Sequence, residues 1–107
     1  MKYYTIDFTG TSDLSDFYQR IIKGLEFPDW CGENLDAIWD MLTGHMDAPV
    51  HITVIGGEFL THIMADKYEV LKEVFDRTIE WYKDLDKQVV LEYKWGKYEP
   101  PMTNYLS

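Results

Sequence analysis

The chain has 107 residues, 46% of them hydrophobic and 16% aromatic, and a net charge of −9 from 19 Asp and Glu against 10 Lys and Arg. That is enough apolar surface for one compact core, and the charge excludes nonspecific attachment to nucleic acid or to an anionic membrane surface, which need clustered Lys and Arg; a basic partner is the natural counterpart. No window approaches the roughly 18–20 apolar residues of a membrane span, the opening "MKYYTIDFTG" has no apolar h-region, and Cys31 is the single cysteine, so a reduced, cytoplasmic protein is expected.

"YYTIDF" (Tyr3 to Phe8) is β-branched and aromatic and is closed by Thr9-Gly10, which predicts a first strand. A first amphipathic helix follows, capped at Ser12 or Asp13, with Leu14, Phe17, Ile21 and Leu25 at helical spacing and Gly24 near its stop. Pro28 and Gly32 make "EFPDWCGE" an irregular loop. Asn34 then reads as the cap of a second helix running to about Gly44. "VHITVI" (Val50 to Ile55), ended by Gly56-Gly57, predicts a second strand, while "GEFLTHIMADK" fits either a loop or a short helix.

The longest helix is expected from about Asp66 to Leu85, with Val70, Leu71, Val74, Phe75, Thr78, Trp81 and Tyr82 on one face. "KQVVLEYKW" predicts a third strand, and Pro100-Pro101 keep the tail from being helical. Strands separated by helices favour a small parallel sheet in a two- or three-layer α/β domain, with the apolar runs as buried strands.

Charge is not spread evenly along this order. Between Lys23 and Lys67 lie eight acids (Glu26, Asp29, Glu33, Asp36, Asp40, Asp47, Glu58 and Asp66) and no Lys or Arg. The negative field therefore centres on the second helix, unless distant basic residues fold over it. On a helical wheel Leu35, Ile38, Met41 and Leu42 fall on the buried arc, Asp36, Asp40 and Thr43 on the opposite one, and Trp39 on the border. Asp36 gains from the positive helix N-terminus, and Asp40 sits too far in for the same help. Like charges at i and i+4 cost a few tenths of a kcal/mol, so the pair does not serve the helix itself. Two readings stay open: solvated carboxylates on an exposed face, or an aromatic-plus-acid patch built for a basic pocket.

"GENLDAIWDMLTG" resembles the signature of the barstar family, a Gly-x-Asn-Leu-Asp-Ala-Leu/Ile-Trp-Asp-x-Leu-Thr-Gly pattern that matches here without a gap at about ten positions. "FPDW" is similar to the family's Pro-acid-aromatic loop, and the β-α-α-β-α-β order agrees over roughly residues 3 to 93. The resemblance implies a single barstar-like domain over residues 1–107, with 96–107 as a C-terminal extension, built as a small three-stranded parallel sheet with three to four helices. It implies a cytoplasmic inhibitor, an immunity protein of the toxin–antitoxin kind, that blocks a ribonuclease's basic cleft with the second helix and the loop before it. That partner would be a protein, bound 1:1 by a protein that is a monomer when free, with no direct nucleic acid, membrane or cofactor involved.

By position, Asp40 corresponds to the family's principal acidic anchor and Asp36 to its second acid. Trp39, Thr43 and Gly44 fall at neighbouring contacts, Trp30 at the ring presented to the enzyme, and Asn34 at the helix-opening asparagine. His45 and Cys31 stand where relatives carry aromatics. The family's further acidic contact on the last helix does not carry over, because a one-residue shift of "VLKEVFDRTIE" places Arg77 there. Glu73, Asp76 and Glu80 are substitutes by proximity, although with Glu69 they form a stripe opposite the core face that also reads as plain solvated surface.

Two other classes compete. Asp36 with Asp40, or Glu33 with Asp36, could form an acid–base pair or hold a divalent cation, but no second motif completes such a site. His45, His51 and His62 lack metal spacing, and Cys31 has no activating neighbour in sequence, so no enzyme activity is expected. An acidic adaptor, or an immunity protein for a different basic toxin, would use the same negative surface.

Overall fold

The computed structural model describes residues 1–96. Its elements are β1 (Lys2–Asp7), α1 (Leu14–Gly24), α2 (Leu35–Gly44), β2 (Val50–Ile55), a 3-10 turn (Gly57–Phe59), α3 (His62–Lys83) and β3 (Val89–Lys94). The three strands form one parallel sheet in the order β1-β2-β3, so β2 is central; Lys2 to Asp7 align with Val50 to Ile55, and Val50 to Ile55 with Val89 to Lys94. This is the α/β architecture expected from the sequence, and the tail from Lys97 onward lies outside the described residues.

The helices cover one face of the sheet. Tyr4, Ile6 and Phe8 from β1, Val50, Ile52 and Val54 from β2, and Val89 from β3 point into the core with Phe17, Ile21, Ile38, Leu42, Leu71 and Phe75 from the helices. The alternate residues do not share that burial: Tyr3, Thr5 and Asp7 are exposed, and His51, Thr53 and Ile55 are only partly covered. Of the two layerings left open by the sequence, the architecture is therefore the two-layered one, with the strands buried on the helix-covered face. On the open face His51 Nε2 lies 2.9 Å from Glu92 Oε1 across β2 and β3, a contact that holds the Glu92 carboxyl below its usual range.

Local chemistry sets where the helices start and stop. The Asp13 side chain caps α1 by accepting from the Asp16 N–H at 2.8 Å. At the other end Glu26 takes φ 58°, with its N–H donating to Lys23 O and the Phe27 N–H to Ile22 O, a pair of bonds that closes the helix and turns the chain sharply into the loop before α2. Gly24 is required at that end, because a Cβ there would stand 2.6 Å from Thr5 O on β1.

α3 begins at His62 rather than near Asp66, and the ambiguous "GEFLTHIM" resolves into the 3-10 turn plus its first turn. Of its expected core face, Leu71, Val74, Phe75, Thr78 and Tyr82 are buried. Val70 and Trp81 lie at the margins of the arc and are 44% and 46% exposed, which corrects their assignment to the core.

Candidate functional site

α2 is fixed before any partner arrives. Asn34 caps it, its Oδ1 accepting from the Ala37 N–H at 2.8 Å, which leaves the side-chain amide N–H groups for another molecule. Ile38, Met41 and Leu42 are buried as the wheel predicted, and Leu35 packs partly covered against them. At the C-terminal end the buried Tyr82 hydroxyl lies 2.5 Å from Leu42 O and 2.7 Å from Met46 O, tying the last turn of α2 and the chain after it to α3. Burial, with Asp47 nearby, raises the Tyr82 phenol above its ordinary range and keeps it a neutral donor.

The loop before α2 is held from the other side. The Glu33 carboxylate accepts from Ser15 Oγ at 3.0 Å and from Gln19 Nε2 at 2.6 Å, both on α1. Cys31 is buried, and that burial pushes its thiol up, the opposite of what an activated nucleophile needs. Trp30 beside it points outward and is 76% exposed.

Against this fixed frame the outer face is unsatisfied. Asp36 and Asp40 are exposed, and among the described residues neither makes a side-chain hydrogen bond or an ion pair. Thr43 donates its hydroxyl back to Trp39 O at 2.9 Å, keeping its lone pairs outward. His45 follows the helix as its C-cap, exposed and edge-on to Phe27 with ring centroids 6.1 Å apart. A Cβ at Gly44 would meet nothing within 4 Å, so the chain's own packing does not explain a glycine there. Trp30, Asp36, Trp39, Asp40, Thr43, Gly44 and His45 thus lie on α2 and its flanks, with Asn34 at the helix opening.

The residues on α3 divide. Glu73 and Glu80 are exposed and unpartnered among the described residues, and on the same helix Lys72 pairs with Glu69 at 2.9 Å. Asp76 lies toward Tyr93 of β3, whose phenol is pushed up to about 12 by desolvation first and by Tyr68 and Asp76 after it.

A residue singled out only as a mismatch packs against the Trp39 side chain of α2. The Arg77 guanidinium carbon stands 4.7 Å from the Trp39 ring centroid, and Trp81 meets the same ring edge-on at 6.2 Å. A basic residue thus does fold against the acidic segment, although it forms no ion pair with a described carboxylate. The sequence signal was Arg77 and Trp81 one turn apart at the edge of the core arc, a position that faces a neighbouring helix as readily as the interior.

Chemically the site offers carboxylate acceptors and aromatic surface. Two acids one turn apart on a rigid helix suit the planar donor fork of a guanidinium or the compact charge of an ammonium group. No group of three or more His, Cys, Asp and Glu that could hold a metal ion occurs among the described residues, and none of the described helices is long and apolar enough to cross a membrane.

Comparison with known proteins agrees with the signature on α2. The family model described as Barstar (barnase inhibitor) matches residues 1–94. A Bacillus subtilis (strain 168) protein named "Putative ribonuclease inhibitor YrdF" is 30% identical over 90 residues, covering 84% of this chain and 99% of that protein. With a family match over nearly all the described residues, the expected parallel three-stranded fold, and the acid-bearing second helix in place, the chain belongs to the barstar family.

Proposed function

We propose that this protein inhibits a ribonuclease by filling the enzyme's basic active-site cleft with the outer face of α2 and the Trp30 loop. The observation that carries the reading is the pair Asp36 and Asp40: exposed and without side-chain partners among the described residues, on a helix that is capped, packed and tied down at both ends. A ribonuclease must gather Arg, Lys or His around the phosphates of its substrate. Carboxylates on a preorganised helix can take those donors in place of phosphate and exclude RNA with little ordering cost. Trp30 and Trp39 supply apolar area beside the charge, the composition of an interface anchor. Gly44 leaves the helix end open to a partner's close approach.

The roles follow from the resemblance to the family signature. By position Asp40 is the principal acceptor, with Asp36 the second; Thr43 and the Asn34 amide line the edges, and His45 closes the C-terminal side. The negative segment accelerates encounter with a basic enzyme. The protein carries out no chemistry of its own and acts in the compartment where its target would otherwise cut cellular RNA.

Calorimetric titration of the protein into purified microbial ribonucleases, including one encoded beside its gene where present, tests this reading. A 1:1 complex whose apparent affinity falls in proportion to an added active-site nucleotide inhibitor is expected. Binding indifferent to that inhibitor would place the interface outside the cleft. Binding to a basic toxin that does not cleave RNA would favour the immunity-protein alternative.

A further inference from the structure

The acidic face of α2 does not end at α2. Trp39 is half-buried, and both residues that reach its ring come from α3: Arg77 over the face at 4.7 Å and Trp81 at the edge at 6.2 Å. Trp39 borders the outer arc of α2 that carries Asp36 and Asp40, and Trp81 is 46% exposed, so an aromatic and cationic rim adjoins the proposed binding face.

Arg77 has an alternative it does not take. Glu73 stands four residues before it and Glu80 three after, the spacings at which helical neighbours pair. The guanidinium forms no ion pair with either, nor any hydrogen bond among the described residues, and it lies on the tryptophan instead. Stacking uses the face of a guanidinium and leaves its in-plane N–H fork free. Arg77 is exposed and its guanidinium is not engaged in a hydrogen bond or ion pair among the described residues, so its N–H donors are open to another molecule. Its geometry suits a carboxylate accepting two parallel hydrogen bonds.

We propose that Arg77 is a specificity-determining contact that takes an Asp or Glu side chain of the partner at the rim of its basic cleft. The inference rests on the cleft-blocking reading of α2 and deepens it. A partner that surrounds Asp36 and Asp40 with cations and continues in the same sign over α3 would press like charges together at Arg77. Such a partner is disfavoured. One that sets an acid beside the cations that meet Asp36 and Asp40 is matched. The surface is thus read as two acids and a cation rather than as uniformly acidic, and Trp39 positions both signs.

The test measures association and dissociation of each ribonuclease in a microbial panel with wild type, Asp40→Ala, Arg77→Gln and Arg77→Glu, alongside melting temperatures. For an enzyme that binds, Arg77→Gln should raise the dissociation rate about tenfold and Arg77→Glu about a hundredfold. The association rate should hold or rise, because each variant makes the protein more negative toward a basic target. Melting temperatures should move by no more than about 4 °C, as for a surface side chain. Alanine replacement of one carboxylate at the enzyme's cleft rim should then make the Arg77→Gln effect vanish. If both Arg77 variants leave dissociation within twofold, or slow it, the proposal fails; a large loss in Asp40→Ala would still keep the α2 reading. If wild type binds no ribonuclease, the cleft-blocking reading fails and the Arg77 proposal falls with it.

Discussion

α2 and α3 both carry acids on their outer faces, yet they use them differently. On α3 the acids are interspersed with Lys72, Arg77 and Lys83, and although Glu73 and Glu80 are unpartnered among the described residues, Glu69 is paired with Lys72 and bases alternate with acids along the helix. On α2 there is no base at all, and Asp36 and Asp40 have no side-chain partner among the described residues, while every structural need of the helix is met elsewhere by Asn34, Tyr82 and the buried arc. The difference teaches that acid content alone marks no site. A carboxylate left unpaired on a rigid, internally satisfied element is available for recognition, whereas one in a mixed-sign stripe mainly keeps the surface hydrated.

The sharpest way to break this contrast is to truncate one acid from each helix. Asp40→Ala should weaken target binding by about 2 kcal/mol or more, at least about 30-fold, and shift folding stability by no more than about 0.5 kcal/mol. Asp76→Ala should do neither. Equal losses of affinity and melting temperature in Asp40→Ala would make that residue structural. The field of the unpaired segment should appear in kinetics: raising salt from about 0.05 to 0.5 M should slow association roughly tenfold. A salt-independent on-rate would remove steering from the mechanism.

Tyr82→Phe probes the tie rather than the face. Leaving the Leu42 and Met46 carbonyls without their shared donor should cost about 1–2 kcal/mol, a fall in Tm of about 4–8 °C per kcal/mol for a domain near this size. Gly44→Ala should push the two properties in opposite directions. With open space around it, the new methyl group should stabilise α2 by about 0.5–1 kcal/mol and raise Tm while weakening binding. A rise in both would show that no partner approaches there. Smallest of all, replacing Glu73, Asp76 and Glu80 together by Gln should leave the dissociation rate within about twofold, and a large increase would bring that flank of α3 into the interface.

Much of the fold was legible because its signals are local. Asn34 as cap, the buried arc of α2, and the bounds of β2 follow from turn chemistry and from periods of 3.6 and 2. The start of α3 was not, since Thr61 makes no side-chain cap bond and "THIM" carries no periodic signal before the core residues begin. The candidate site was half legible. A signature of contiguous residues names Asp36, Trp39 and Asp40, and the loop before it names Trp30, but which acids are spoken for depends on contacts distant in sequence. Glu33 belongs to Ser15 and Gln19 on α1, and Trp39 is covered by Arg77 and Trp81 from α3. No window of sequence contains those pairings. Val70 and Trp81 show the matching limit of periodicity, which cannot tell the margin of a buried arc from its centre.

The most direct test of a cleft-blocking α2 is a titration of RNA cleavage by a ribonuclease the protein binds, using wild type and Asp40→Ala at matched concentrations. Wild type should abolish cleavage at one equivalent, and Asp40→Ala, melting at the same temperature, should leave cleavage largely intact at that ratio. Full cleavage in the presence of a stoichiometric wild-type complex, or equal inhibition by both proteins, would contradict it.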